Sequence, residues 1–152
     1  MSVHRASVEW TLDGGDFPHR RYSRAHTLSI EGDVTLAGSP SPHIVPAPWS
    51  RPDAVDPEAM FTASLSACHM LWFLDLAARA GFVVDAYRDA AEGTLAKNAA
   101  GRMAMTRVVL RPVIDFTGAS RPNPSNIAAL HHAAHEACFI ANSVTTEVVV
   151  EA

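Results

Sequence analysis

The residue types with the greatest chemical capacity in this 152-residue chain are two cysteines, an arginine and a glutamate. Cys68 lies in "DPEAMFTASLSACHMLWFLDLAARAG", a segment from Asp56 to Gly81 that is apolar on nearly every side. The thiolate is the form of cysteine that attacks a peroxide or binds a metal, and apolar burial favours the protonated thiol instead. A reactive Cys68 therefore needs a cationic partner, whereas an unreactive one is simply a small buried hydrophobe.

Arg24 is the cation that the pattern offers. Strand alternation places it on the same face as Leu28 and Ile30. An arginine turned inward needs an anion, because an unpaired buried charge is costly. One interpretation is that Arg24 reaches solvent from a strand end. The other is that its anion is Glu58, the Cys68 thiolate, or both, although Glu58 also suits the first turn of a helix for its charge alone.

The elements that would position these side chains follow from hydrophobic periodicity. Alternation over 6–12, alternation over 22–30 and the short "VTLAG" predict a meander of three strands. Six prolines between Ser39 and Pro57 then predict a long ordered loop, since neither a helix nor a central strand can pass through them.

Two helices and three further strands complete the prediction. Asp56 as N-cap and Pro57 at the first position open a helix that ends near Ala80. Asn123 and Pro124 repeat that signal and open a second helix with Cys138 on its inward face. We expect strands over 83–96 and 103–116, and alternation predicts a last strand over 144–150. This order indicates an α+β fold.

Composition places the chain among globular proteins of one domain, residues 1–152, with 48% hydrophobic and 18% charged residues. Its net charge of −4 argues against nucleic acid and anionic membranes as partners. The first residues show no signal-peptide pattern, and no uninterrupted apolar run reaches the length of a membrane span. We therefore expect a cytoplasmic protein with no membrane association, in which the two cysteines are thiols rather than a structural disulfide.

The apolar helix also predicts an assembly. A helix that is apolar all round cannot leave one side in water, where exposed apolar area costs about 25 cal/mol per Å². A chain with two substantial helices has little material with which to cover it. We therefore expect a homodimer in which a second copy covers the remaining side.

Three segments together carry a family resemblance. "DPEAMFTASLSACHMLWFL" resembles the central motif of the OsmC/Ohr family, the osmotically inducible and organic hydroperoxide resistance proteins. "YSRAH" is similar to the family's arginine-bearing strand, and "AHEACFIANSVTTEVVVE" to its second-cysteine segment. Phe139 stands where many family members have proline, so the chain looks closer to an OsmC-like branch. The resemblance implies an OsmC-like α+β fold: antiparallel sheets and two main helices, the central one buried in an intertwined homodimer.

The resemblance also implies an activity, a thiol-dependent peroxidase that reduces organic hydroperoxides to alcohols without cofactor or metal. By position, Cys68 matches the peroxidatic cysteine, Cys138 the resolving cysteine, Arg24 the arginine that holds the thiolate, and Glu58 the carboxylate that orients it. Oxidation of Cys68 to a sulfenic acid would be followed by a Cys68–Cys138 disulfide. An external dithiol of the lipoyl or thioredoxin type would then reduce it.

An apolar pocket would favour bulky hydroperoxides over hydrogen peroxide, because alkyl burial adds affinity that a small polar molecule cannot gain. Four large side chains are available to line it: Trp49, Phe61, Met70 and Trp72. Trp49 serves equally well as an anchor of the proline-rich loop.

Two alternatives remain at this level. His131, His135 and Cys138 have the spacing of one helical face, which with Cys68 would offer four ligands to zinc. The other alternative is a ligand-binding dimer of the same fold without peroxidase turnover.

One expectation is purely geometric. A straight helix separates Glu58 from Cys68 by about 15 Å along its axis and turns them roughly 80° apart. One arginine could hardly reach both, so for Arg24 to pair with Glu58 and also hold the Cys68 thiolate we expect an interruption near residues 63–67, with Ser66 as a new N-cap. Cys68 would then lie in the first turn of a second helix, where the dipole favours a thiolate.

Overall fold

The computed structural model describes residues 1–152, which form two compact units, residues 1–60 and residues 61–152. Two helices alternate with eight strands in the α+β order that the sequence predicts. The elements are β1 (Ala6–Glu9), β2 (His26–Ile30), β3 (Val34–Gly38), α1 (Pro57–Arg79), β4 (Val83–Asp89), β5 (Glu92–Lys97), β6 (Met103–Leu110), β7 (Pro112–Thr117), α2 (Pro124–Ala137), a 3₁₀ turn (Ala141–Ser143) and β8 (Glu147–Val150).

Residues 1–60 contain the predicted meander, an antiparallel sheet in the order β1-β2-β3. Its first two strands are shorter than the alternation predicts, because the chain between them leaves the sheet and turns where Asp16 pairs with Arg21. The loop after β3 is ordered, as expected. It returns to the sheet at Val55, whose N–H donates to the Ala37 carbonyl at 2.9 Å.

Helix α1 begins as the sequence indicates but has no interruption. Its N-cap, Asp56, accepts the N–H of Ala59 at 2.8 Å. The predicted break near residues 63–67 is wrong, because both serines satisfy their hydroxyls without a new helix end. Ser64 donates to the Phe61 carbonyl at 2.7 Å, and Ser66 donates to an oxygen of Asp89 at 2.5 Å. Cys68 therefore lies within a continuous helix and gains no free N-terminal amides.

In residues 61–152 each of the two long predicted strands is divided in two. β4 pairs with β7, whereas β5 pairs with β6, so the chain changes sheet twice. Asp89 stabilises the region where the chain changes sheet, because its carboxylate accepts hydrogen bonds from the Ser66 hydroxyl and from the Arg111 N–H, the latter at 2.7 Å. Pro112 follows directly and has no N–H with which to continue the β6 ladder. The last strand, β8, runs parallel to β6, so this sheet is mixed rather than antiparallel throughout.

Two apolar clusters form the core of residues 61–152. Phe73 and Ala77 of α1 pack with Leu130 and Ala134 of α2 in the first. The second joins Leu65 of α1 to the sheet at Val108 and Leu110. Helix α2 begins at the predicted cap, where Asn123 and Asn126 exchange side-chain to backbone hydrogen bonds.

The buried residues of α1 form one stripe: Thr62, Leu65, His69, Phe73 and Ala77. By length and composition α1 is the one helix apolar enough to cross a membrane. Buried core helices satisfy the same criterion, so this property alone is weak evidence for a membrane span. The other sides of α1 are less covered within the chain, although they are also largely apolar.

Candidate active site

The two cysteines come together, although 69 residues separate them in the sequence. Cys68 lies on α1 and is half-buried, while Cys138, the residue that caps the C-terminus of α2, is 1% exposed. Both are free thiols, and Cys68 lies close enough to Cys138 to raise its pKa. The Ala141 N–H also points at the sulfur of Cys138, at 3.4 Å. The first turns after α2 thus hold the second thiol against the first.

The buried thiol of Cys138 is held in its neutral form. Burial raises the pKa of Cys138 to about 11, and the neighbouring Cys68 acts in the same direction. Cys138 therefore keeps its proton at neutral pH.

A groove of about 310 Å³ opens beside Cys68. The lining continues from Cys68 along one face of α1, through Leu71, Trp72, Asp75 and Arg79. Phe139 completes it from the turn after α2. The floor is apolar, whereas Asp75 and Arg79 form an ion pair at 2.8 Å at its far end.

Phe139 lines the groove although the sequence analysis gave it no place in a pocket, as is also true of Leu71, Asp75 and Arg79. Its ring meets that of Trp72 edge-on, with centroids 5.3 Å apart. It is nevertheless 68% exposed within the chain, and Leu71 is 62% exposed. Its position directly after the second cysteine is the signal that could have identified it.

The other predicted pocket residues lie elsewhere. Phe61 packs against the cluster of Leu65, Val108 and Leu110, and Met70 is half-buried on α1. Trp49 belongs to the proline-rich loop, where its carbonyl accepts the Arg24 N–H at 3.1 Å. That contact fits the anchoring interpretation of Trp49, and a substrate contact for these three residues stays a prediction.

Arg24 is held in place by its own segment. Its guanidinium donates to the carbonyls of Tyr22 at 3.0 Å and Arg20 at 3.3 Å. The carbon at its centre lies 4.1 Å from the centroid of the Tyr22 ring, a cation–π contact. Tyr22 in turn stacks on Phe17 with centroids 4.6 Å apart. These contacts occupy two of the five N–H donors and leave the others for an anion.

Arg24 and Glu58 line a common pocket of about 250 Å³ within residues 1–60. The remaining lining comes from His26 and from the loop that precedes α1: Pro40, Ser41, Ile44 and Pro57. The structure therefore brings together the predicted arginine and carboxylate. The sequence analysis gave no role to His26.

The proposed zinc ligands do not assemble. The structure contains no group of three or more His, Cys, Asp or Glu side chains that could hold a metal ion. His131 instead contacts His69 of α1, with Nε2 of His69 and Nδ1 of His131 3.0 Å apart and the rings nearly parallel. Burial lowers the pKa of His69 to about 4, with a further lowering from His131, so the pair is neutral at pH 7.

Comparisons with known proteins agree with this architecture. The family model described as OsmC-like protein matches residues 50–152. An OsmC-like protein of unknown function from Vibrio cholerae is 49% identical to the chain, with a TM-score of 0.97 and 99% of each chain covered. No curated protein matches the sequence significantly.

More distant solved structures show the same fold. An organic hydroperoxide resistance protein OsmC from Legionella pneumophila superposes with a TM-score of 0.67 at 18% identity, covering 99% of this chain and 95% of that one. The organic hydroperoxide resistance protein OhrB of Bacillus subtilis gives 0.62 at 18% identity, covering 97% and 96%. The resemblance seen in the sequence motifs is thereby confirmed, and the chain belongs to the OsmC-like protein family.

Proposed function

We propose that this protein is a thiol-dependent peroxidase that reduces organic hydroperoxides to alcohols. The observation that carries the proposal is the proximity of two free thiols, the half-buried Cys68 and the buried Cys138, whose pKa is raised by burial and by its neighbour. The names of the Legionella and Bacillus proteins of the same fold, both organic hydroperoxide resistance proteins, point to the same chemistry.

In the proposed reaction the Cys68 thiolate attacks the terminal oxygen of the hydroperoxide. The S–O bond forms as the O–O bond breaks, and its electron pair leaves on the alkoxide. The Arg24 guanidinium would stabilise the thiolate and the charge that develops on the leaving oxygen, with Glu58 orienting it. Within residues 1–60, hydrogen bonds to two carbonyls and the contact with the Tyr22 ring hold the guanidinium in a fixed orientation.

Cys138 would then resolve the sulfenic acid. Its thiol condenses with Cys68–SOH, releasing water and forming a Cys68–Cys138 disulfide. The existing contact between the two side chains means that no large movement is needed. A dithiol reductant of the lipoyl or thioredoxin type would return both cysteines to thiols.

The groove beside Cys68 supports bulky substrates. Leu71, Trp72 and Phe139 give it an apolar wall, and burial of an alkyl or aryl group there adds about 25 cal/mol per Å² of apolar area. Hydrogen peroxide has no such group to bury. We therefore propose organic hydroperoxides as the preferred class.

The same surfaces support a homodimer. Leu71 and Phe139 are mostly exposed within one chain, and in residues 1–60 Val8, which pairs with Leu28, is 64% exposed. Apolar surface of this kind is typical of protein interfaces. We propose that a second copy covers it and completes the active site.

The experiment is a peroxidase assay that compares cumene hydroperoxide with hydrogen peroxide, using lipoyl and thioredoxin-type dithiols in turn. We expect turnover with the organic peroxide and at least a tenfold loss in Arg24→Lys, since an ammonium cannot form the planar guanidinium contacts. Arg5→Lys, at an exposed arginine paired with Glu31, is the matched control and should keep full activity. Absence of turnover with every peroxide and reductant would favour the ligand-binding dimer instead.

A further inference from the structure

The two cysteines differ in their access to the groove on α1. Cys68 is half-buried and lines that groove, whereas Cys138 is not among its lining residues and is 1% exposed. A molecule that enters the groove can therefore reach the sulfur of Cys68 but not that of Cys138. Access of this kind directs thiol–disulfide exchange, because the attacking thiolate must reach one sulfur of a disulfide in order to expel the other.

The turn after α2 directs backbone N–H groups at the buried sulfur. The N–H of Ala141 donates to Sγ of Cys138 at 3.4 Å. Burial raises the pKa of Cys138 to about 11, and the N–H groups of Ala141 and Ile140 oppose that rise. These donors stabilise negative charge on the sulfur of Cys138 whenever that charge forms.

The turn that carries these donors is held in place by its own contacts. The hydroxyl of Ser143 donates to the Phe139 carbonyl at 2.7 Å. Ile140 and Ala141 pack against the core cluster that contains Leu65. Donors that are already in position stabilise a developing charge without the cost of reorganisation.

We propose that a dithiol reductant attacks Cys68 and expels Cys138 when it reduces the Cys68–Cys138 disulfide. This inference rests on the proposed function and assigns the direction of its last step. A thiolate of the dithiol forms an S–S bond to Cys68 as the bond between the two cysteines breaks. The electron pair leaves on Cys138, where the N–H of Ala141 stabilises it until the sulfur takes up a proton.

The second thiol of the reductant completes the exchange. As a thiolate it attacks the reductant sulfur that is bonded to Cys68, which forms a disulfide within the reductant and releases Cys68 as a thiolate. Two electrons pass from the dithiol to the cysteines. One of its protons is matched by the proton on Cys138, and the other is released to solvent.

Burial of Cys138 also protects the intermediate in which the reductant is bonded to Cys68. Because its pKa is about 11, the expelled Cys138 remains a neutral thiol at pH 7. A neutral thiol is a poor nucleophile, so Cys138 does not displace the reductant from Cys68. The intermediate therefore persists until the second thiol of the reductant reacts.

A monothiol identifies the attacked sulfur, because it cannot carry out the second step. The disulfide is formed with diamide, so this test does not require peroxidase activity. After a short reaction with 2-mercaptoethanol, acid quenching and blocking with N-ethylmaleimide, peptide mass spectrometry locates each label. We expect mercaptoethanol on Cys68 and maleimide on Cys138, in about tenfold excess over the reverse pattern. The reverse pattern, or an equal mixture, would overturn the inference.

The role of the Ala141 N–H is tested by replacing it with an ester oxygen. Cys138 allows a thioester of residues 1–137 to be ligated to a synthetic peptide of residues 138–152, with lactic acid in place of Ala141. The same ligated protein with alanine is the matched control. We expect reduction of the diamide-formed disulfide by dithiothreitol to slow by about tenfold, with an unchanged rate of Cys68 oxidation by cumene hydroperoxide. An unchanged rate of reduction, or an equal loss in both steps, would overturn this role.

The inference and the proposed function fail in different ways. A protein that is reduced through Cys68 after diamide treatment but consumes no hydroperoxide would overturn the proposed function and leave the direction of exchange standing. A protein that turns over hydroperoxide but is labelled by mercaptoethanol on Cys138 would overturn the inference alone. Failure of diamide to link the two cysteines would overturn both.

Discussion

The buried pair of His69 and His131 predicts that the protein loses stability as the pH falls below about 6.5. The two rings are 1% and 5% exposed and share one hydrogen bond. Nδ1 of His69 and Nε2 of His131 are buried and have no hydrogen-bond partner in the chain. A proton added to either ring would therefore create a buried charge without an acceptor.

The magnitude follows from the shift of His69. Its pKa of about 4 in the folded protein, set mainly by burial, compares with about 6.5 in an unfolded chain. Between these values the unfolded state binds more protons, so the free energy of unfolding falls as the pH is lowered through this window. The difference corresponds to about 3 kcal/mol, as an order of magnitude. His135 lowers the pKa further and Asp89 opposes the shift, so these are the neighbouring charges that modulate the effect.

Urea unfolding at pH 7.5 and pH 4.5 measures this loss. His69→Gln keeps a polar group near Nε2 but does not titrate, so its free energy of unfolding should change less between the two pH values than that of the wild type. His132→Gln, at an exposed histidine on the same helix as His131, is the matched control and should retain the wild-type pH dependence. Equal pH dependence in the wild type and His69→Gln would refute the reasoning.

Three further predictions concern the thiols, the groove and the core. Cys68→Ser should abolish hydroperoxide consumption, while Cys138→Ser should permit one oxidation and then accumulate sulfinic acid at Cys68. Mass spectrometry of the wild type after one equivalent of hydroperoxide should show a Cys68–Cys138 disulfide. Absence of that disulfide, together with normal turnover of Cys138→Ser, would contradict the two-cysteine cycle. Phe139→Ala should raise KM for cumene hydroperoxide several-fold and leave the rate with hydrogen peroxide unchanged, whereas an equal effect on both would exclude a role in substrate selection. Gly93→Ala should lower the free energy of unfolding by about 1–3 kcal/mol in urea titrations, because a Cβ there would overlap the Thr62 hydroxyl; a neutral result would show that the neighbours move freely.

The starts of the two helices show which features of the fold local sequence can predict. Asp56 and Pro57 predicted the start of α1, and Asn123 with Pro124 predicted the start of α2; the structure confirms both. Caps and first-turn prolines act through atoms within a few residues, so their effect can be predicted without knowledge of tertiary contacts. The prediction that the serines of α1 interrupt the helix was wrong because it depended on a tertiary contact. Ser66 bonds to Asp89, a partner that no local pattern can supply.

The strands show the same contrast between what local sequence predicts and what long-range pairing decides. The sequence predicted strands over 83–96 and 103–116, but it could not reveal that each stretch divides between two sheets. That division depends on Asp89 accepting the Arg111 N–H and on the pairing partners of each half, which are long-range choices. The parallel direction of β8 beside β6 is likewise a property of the assembled sheet rather than of either strand.

For the candidate site, the sequence by itself determined the chemical groups: two cysteines, an arginine with an unusual inward position, and a carboxylate at a helix start. Tertiary structure alone decided which of them meet. Cys138 reaches Cys68 because α2 packs along α1, and the burial that results keeps the second thiol protonated. His26 lines the same pocket as Arg24 and Glu58, and Gly38 of the opposing strand leaves room for its ring. Residue type sets what a side chain can do, whereas desolvation and distance, which arise only from packing, set what it does.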